Sequence, residues 1–217
     1  MLKNNPLQYK YSQACFGFKS LLLALCLILG LIENAYSQNE YVQRVHQYRD
    51  SLNEYFRTHP RSPLDSVDRA VFTSLLYYPV QENFKVPVKF KRTYFGKTFL
   101  MKTSTDRLPE YKVYGTLTFE MEGEKQMLTI YQSIALRSKD GYRDYLFCPF
   151  KDLTSGETTY GGGRYLDLRK SNLKKGTLDF NLAYNPYCAY NYKYSCPIPP
   201  KENHLKVKIE AGVKTMH

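Results

Sequence analysis

The sequence predicts a mainly β domain (α+β by strict count), an antiparallel barrel or sandwich of about eight strands with an N-terminal amphipathic helix packed on it. Two observations predict it. From Phe84 onward, short segments alternate apolar and polar residues between turn signals, and no helical periodicity separates them. Before them, residues 39–57 repeat apolar positions at steps of three and four. About eight short strands with no helical pattern between them argue for an antiparallel barrel or sandwich.

The first 37 residues have the plan of a secretory signal peptide. Lysines precede an apolar run of 13 residues, 20–32, which is too short to span about 30 Å of hydrocarbon comfortably. Ala35 and Ser37 then place small residues at a cleavage site. The sequence therefore predicts a signal peptide over 1–37 and one domain over 38–217. The product is expected to be exported, periplasmic or extracellular, with no stable membrane insertion once the leader is removed.

The predicted mature chain is basic, but its charge is dispersed. Removing the leader takes away three lysines and Glu33, which leaves 28 basic and 19 acidic residues, a balance of +9. In segments 85–91 and 204–209, lysines alternate with apolar residues, as on the solvent face of a half-buried strand. This dispersion argues against nucleic acid as a partner.

Each predicted element has its own signal. Asn39 is a suitable cap for the first helix, Pro60 and Pro63 end it, and Ser66 is expected to cap a single-turn helix over 67–72. Turn signals at Gly96, 122–123 and 139–141 separate segments of period two. The predicted strands are 84–95, 97–103, 111–121, 127–136, 142–150, 163–168, 177–183 and 204–210.

Several motifs carry a resemblance to a known family. They read PFKDLTSGETTYGGGRYLDL, LDFNLAYNPYCAYN, SCPIPPKENHL and IEAG, with SPL at 62–64 and LLYYPV at 75–80 nearer the N-terminus. Together they resemble the bacterial family catalogued as domain of unknown function 1684, over nearly the whole mature chain. The resemblance implies no activity, because that family has none established.

The stretch 147–200 contains all three cysteines of the predicted mature chain. Cys188 and Cys196 are eight positions apart, and in an exported chain this spacing favours a disulfide; free buried thiols are the alternative. Cys148 is expected to be a free, buried residue. The four histidines of the mature chain lack the spacing of a zinc site or of a cysteine nucleophile with its base. We therefore predict no metal and no cofactor.

The same stretch is dense in polar residues and glycine, and this is where we place a candidate site. The candidate catalytic carboxylates are Asp152 and Asp179. The candidate binding residues are Thr154, Gly161, Gly162, Gly163, Arg164, Tyr165, Asn181, Tyr184 and Asn185. Two questions stay open. The glycines form either a bulge between strands or a cradle for an anion. Arg164 either serves a binding or catalytic site or pairs with an aspartate as a buried structural clasp.

Tyrosine is over-represented here, at 160, 165, 184, 187, 190, 192 and 194. Tyrosines suit a ligand-binding surface or the rim of a barrel, and the absence of tryptophan from the sequence weakens a carbohydrate-binding interpretation. We predict a ligand-binding or accessory envelope domain whose partner is a small molecule or a cell-envelope component. The alternatives are a hydrolase-like enzyme that uses Asp152 or Asp179 as acid or base with help from Arg164, and a structural interaction module.

Overall fold

The structure, a computed structural model, describes residues 38–215. The predicted signal peptide, residues 1–37, lies outside the described residues. The chain divides into two compact units, residues 1–46 and residues 47–217. In the first unit the described residues, 38–46, are helical.

The second unit opens with helical residues 47–58, called α1 here. Two further helices are α2, Ser66–Val71, and α3, Lys170–Lys175. The strands are β1, Lys85–Pro87; β2, Lys89–Arg92; β3, Thr98–Leu100; β4, Glu110–Met121; β5, Glu124–Ser133; β6, Tyr145–Phe150; β7, Arg164–Arg169; and β8, Thr177–Asp179.

The strands form two antiparallel sheets. The larger has the order β2-β4-β5-β6-β7, with β3 also paired to β4, and the smaller pairs β1 with β8. The prediction of a mainly β, antiparallel fold is confirmed. The closed barrel is not found in residues 38–215, because the two ends of the larger sheet, β2 and β7, are not paired and β1 pairs with β8 in a separate sheet.

One predicted strand is absent from the described residues: 204–210 forms no ladder. Leu205, Val207 and Ile209 are buried, as the alternating pattern requires. However, the backbone of this segment bonds to the loop after β6, with Leu205 N–H donating to the Lys151 carbonyl at 2.8 Å and Leu153 N–H donating to the Val207 carbonyl at 3.1 Å. The alternation therefore reports burial of every second side chain, not a place in a sheet.

Both faces of β6 and β7 are covered. Leu146, Cys148, Leu166 and Leu168 belong to the main core, which also takes side chains from β4, β5 and β8. The opposite face contributes Phe147 and Tyr165 to a second cluster with Met101, Tyr111, Tyr131 and Cys196. Since successive side chains of a strand point to opposite faces, Asp167 lies on the Tyr165 side of β7. This second face is where the candidate site forms.

A charged side chain of α1 is buried together with the apolar ones. Arg49 is buried; its Nη1 donates to the Tyr78 carbonyl at 2.9 Å, and its guanidinium lies 4.5 Å from the centre of the Tyr77 ring. Phe56, on the apolar side, packs with Leu64, Leu75 and Val213 in a third cluster.

Candidate functional site

Arg164 and Asp152 form an ion pair in the interior of the protein. Arg164 Nη2 lies 3.1 Å from Asp152 Oδ1, and both side chains are 0% exposed. Nη2 also donates to the Ile209 carbonyl at 2.8 Å, and Nη1 donates to the Ala211 carbonyl. Burial lowers the pKa of Arg164, and Asp152 offsets part of that effect. The pair ties the start of β7 to the C-terminal segment.

Asp152 is enclosed by donors as well as by Arg164. Its Oδ2 accepts hydrogen bonds from Ile209 N–H at 2.8 Å, Thr154 N–H at 3.1 Å and the Thr154 hydroxyl at 2.7 Å. Thr154 is itself buried, and its hydroxyl lies 2.9 Å from that of Thr159. The predicted residues Asp152, Thr154 and Arg164 thus come together in an enclosed network, which has the geometry of a structural clasp.

The glycine run precedes this clasp, and its third member has the strictest packing. Gly163 has φ +91°, and a Cβ there would lie 2.6 Å from the Phe150 carbonyl oxygen. Gly161 has space for a side chain, and the ring that a Cβ at Gly162 would meet belongs to Tyr160. Close approach of two backbone segments therefore explains the glycine at 163, as in the bulge alternative.

Asp179 and Asn181 form a different local network. Asp179 Oδ1 accepts from Asn181 N–H at 3.0 Å and from Asn181 Nδ2 at 3.1 Å. Asn181 then bonds to both backbone groups of Gln81, at 3.1 and 2.8 Å. These contacts hold the short helical turn Phe180–Leu182 against the segment before β1. The carboxylate that pairs with Arg164 is Asp152.

The other predicted binding residues, Tyr165, Tyr184 and Asn185, line an open cavity of about 430 Å³, called the tyrosine cavity here. Its walls come from α1, from β7 and from the segment 184–197. It is lined by Tyr48, Leu52, Phe56, Tyr165, Asp167, Tyr184, Asn185, Pro186, Tyr187, Tyr190, Tyr194, Ser195, Cys196 and Pro197. A volume of this size lies within the range of roughly 300–1,000 Å³ that is usual for small-molecule sites.

Asp167 is the acidic residue of the tyrosine cavity, and sequence reasoning did not select it. It is exposed to solvent although protein atoms surround it closely. Its Oδ1 accepts a hydrogen bond from the Tyr145 hydroxyl at 2.7 Å and another from the Tyr184 hydroxyl at 2.7 Å. Burial raises the pKa of Asp167, while the two hydroxyls and Arg169 act in the opposite direction. The sequence contained a signal that could have identified Asp167: its spacing of two from Tyr165 places both residues on the same face of the strand.

The two tyrosines that hold Asp167 are kept in their protonated form. Burial, followed by the charge of Asp167, raises the pKa of Tyr184 and of Tyr145 well above the usual range. Because a protonated phenol donates one hydrogen bond, both hydroxyls can donate to Asp167 at once. The arrangement fixes the carboxylate at one oxygen.

The aromatic rings around the cavity support one another. Tyr187 and Tyr194 meet edge to face with centroids 5.2 Å apart, and Phe56 meets Tyr190 in the same way at 4.8 Å. Edge-to-face pairs of this kind stabilise defined ring orientations. The cavity wall is therefore pre-organised.

The predicted disulfide between Cys188 and Cys196 is not found: in the structure Cys148, Cys188 and Cys196 are all free thiols. In place of a bond between sulfurs, Cys188 N–H donates to Cys196 Sγ at 3.1 Å and the Tyr160 hydroxyl lies 3.8 Å from Cys188 Sγ. The hydrogen bond with Cys196 lowers the pKa of Cys188 to about 7, against the effect of burial. Cys148 is buried in the main core, and burial raises its pKa to about 12.

A larger concavity, of about 570 Å³, lies along β1, β2 and β4. Its lining includes Lys89, Lys91 and Lys125, which are exposed and belong to the solvent face of the strands.

Within residues 38–215, no cluster of three or more His, Cys, Asp and Glu side chains could hold a metal ion. In the same range, no helix combines the length and apolar character that crossing a membrane requires.

Comparison with known proteins identifies relatives of the chain but no activity. A solution NMR structure of the uncharacterized protein from gene locus rrnAC0354 of Haloarcula marismortui is similar, with 33% identity and a TM-score of 0.65. The match covers 83% of this chain and 98% of that one. No curated protein matched the sequence. The family model described as "Protein of unknown function (DUF1684)" matches residues 70–214, well over half of the chain, and the protein therefore belongs to that family, as its motifs predicted.

Proposed function

We propose that the protein is a ligand-binding domain that takes a small molecule, or a small group of a cell-envelope component, into the tyrosine cavity. The observation that carries the proposal is a pre-organised, mainly aromatic concavity with one carboxylate held at a defined position. Binding sites for small ligands have this composition: mostly apolar walls with a few placed polar groups.

The geometry favours binding at this cavity over a hydrolase that uses Asp152 with Arg164. Both of those side chains are 0% exposed, and Asp152 already accepts hydrogen bonds from backbone and side-chain donors. A general acid or base must come within hydrogen-bond reach of a substrate. Asp152 would have to leave its network to do so.

The cellular setting that we propose is the periplasm or the extracellular space. The support is the pattern of lysines, apolar run and small residues in the first 37 positions. N-terminal sequencing of the protein from its native cells should begin at Gln38. An intact Met1 would contradict export by cleavage.

The binding proposal can be tested with a fluorescence reporter, because the sequence contains no tryptophan. Tyr48→Trp places a single reporter in the cavity wall, and Tyr94→Trp places one at an exposed position, 75% accessible, outside the lining. The probes are three isosteres that share a compact apolar body: choline (a cation), neohexyl alcohol (neutral) and the anion of tert-butylacetic acid. We expect at least one probe to give a saturable change with Tyr48→Trp and none with Tyr94→Trp.

The proposal fails if no probe changes the Tyr48→Trp emission saturably at concentrations up to tens of millimolar. It also fails if both reporters respond alike, since that would indicate a general solvent effect. Titration calorimetry on the unmodified protein provides the same test without a substitution in the cavity.

A further inference from the structure

We infer that the ligand of the tyrosine cavity is an organic cation, an ammonium group carrying apolar substituents, which binds beside Asp167 and among the tyrosine rings. This inference rests on the proposed function and adds the chemical class of the ligand. Three features of the cavity carry it: its charge, the bonding of Asp167 and its aromatic walls.

The charge of the lining is opposite to that of the protein. The sequence contains 31 lysines and arginines against 20 acidic residues. None of the lysines and arginines in residues 38–215 is among the lining residues, whereas Asp167 is. Arg169, which acts on Asp167 electrostatically, is engaged elsewhere: its Nη1 donates to Asp144 Oδ1 at 2.7 Å. A basic protein thus has a cavity whose charged lining group is an acid.

The hydrogen bonds of Asp167 favour its ionised form and leave an oxygen free. Tyr145 and Tyr184 both donate to Oδ1, and hydrogen bonds donated to a carboxylate stabilise its charged state. Within the described residues, Oδ2 accepts no hydrogen bond. A carboxylate oxygen forms stronger hydrogen bonds with a cationic donor than with a neutral one. The vacant oxygen is therefore a position for an ammonium group.

The walls suit the apolar part of the same ligand. Six tyrosines and Phe56 line the cavity. Aromatic rings attract a cation through the negative potential of their faces, and they bury alkyl substituents at the same time. An anion would face repulsion from Asp167, and a neutral ligand would gain from the rings but not from the carboxylate. A cation with apolar substituents uses both features.

The charge series of isosteric probes tests this inference on the unmodified protein by titration calorimetry. We expect choline to bind at least about tenfold more tightly than neohexyl alcohol, and the anion of tert-butylacetic acid to bind most weakly. In Asp167→Asn, which keeps an oxygen for the two tyrosine hydroxyls, choline should lose about tenfold in affinity. Neohexyl alcohol should stay within about twofold. Asp140→Asn, whose side chain is 99% exposed, is the matched control and should change neither affinity.

The outcomes separate this inference from the proposed function. If neohexyl alcohol or the anion binds as tightly as choline, the cavity binds ligands but the cationic class is wrong. If none of the three binds, both the inference and the proposed function fail. Should Asp167→Asn not fold, the order of the three probes on the unmodified protein still decides the question.

Discussion

Replacing Arg164 with alanine should lower the free energy of unfolding by about 3–5 kcal/mol. The guanidinium is 0% exposed and donates to Asp152 and to the carbonyls of Ile209 and Ala211. Truncation leaves the Asp152 carboxylate buried without its cation and removes the link between β7 and the C-terminal segment. Chemical denaturation followed by circular dichroism gives the free energy directly.

Arg143→Ala is the matched control, because that arginine forms an ion pair on the surface. Arg143 and Asp140 lie 3.4 Å apart with side chains 78% and 99% exposed, so the loss should be within about 1 kcal/mol. An unchanged or raised free energy of unfolding for Arg164→Ala would contradict the structural clasp. Arg164 would then again be a candidate for a binding or catalytic role, since replacing a functional residue often leaves stability unchanged or raises it.

The parts of the fold that the sequence predicts are those in which side-chain alternation coincides with a ladder. The central strands β4 to β7 were located this way, within a few residues at their ends. The segment 204–210 shows the same alternation without a ladder, because its backbone partners lie in a loop. Period-two burial does not distinguish these two cases.

β4 contains a register shift that its pattern of apolar residues does not predict. Alternation over residues 111–121 predicts that Tyr111 and Leu117 share one face. A register shift between Val113 and Gly115 places Tyr111 in the second cluster and Leu117 in the main core. An extra residue in one strand moves the side chains that follow it to the opposite face of the sheet. The sequence around Gly115 contains no signal that predicts such a bulge.

The sequence predicts one part of the candidate site, the buried ion pair, and does not predict the tyrosine cavity. The pairing of Arg164 with an aspartate follows from the cost of burying an unpaired charge, which sequence reasoning can use. The tyrosine cavity does not follow from any local pattern, because its walls come from α1, β7 and the segment 184–197. Sequence spacing places Asp167 on the strand face of Tyr165. The two hydroxyls that donate to it, from Tyr145 and Tyr184, belong to other segments and are revealed only by the structure.

Asn203 is a further residue whose role only the structure reveals, and it provides the last prediction. The strands β5 and β6 are paired at Tyr131 and Phe147. Farther along, Asn203 bonds to both: its Oδ1 accepts from Thr129 N–H at 2.7 Å, and its Nδ2 donates to the carbonyls of Thr129 and Pro149 at 2.8 and 2.7 Å. Pro149 has no N–H to give to a ladder. One side chain, 0% exposed, therefore satisfies three backbone groups between neighbouring strands.

Asn203→Ala should lower the free energy of unfolding by about 3–5 kcal/mol, since each buried backbone group left unsatisfied costs about 1–3 kcal/mol. Asn191→Ala is the control: its Oδ1 accepts one hydrogen bond, from Lys193 N–H in an exposed turn, and its loss should cost about 1 kcal/mol or less. Asn203→Leu separates hydrogen bonding from packing, because leucine fills a similar volume without donors or acceptors. If Asn203→Leu is as stable as the unmodified protein, the side chain acts by filling space. If it is as unstable as Asn203→Ala, the three hydrogen bonds carry the effect, and this is the result that we expect.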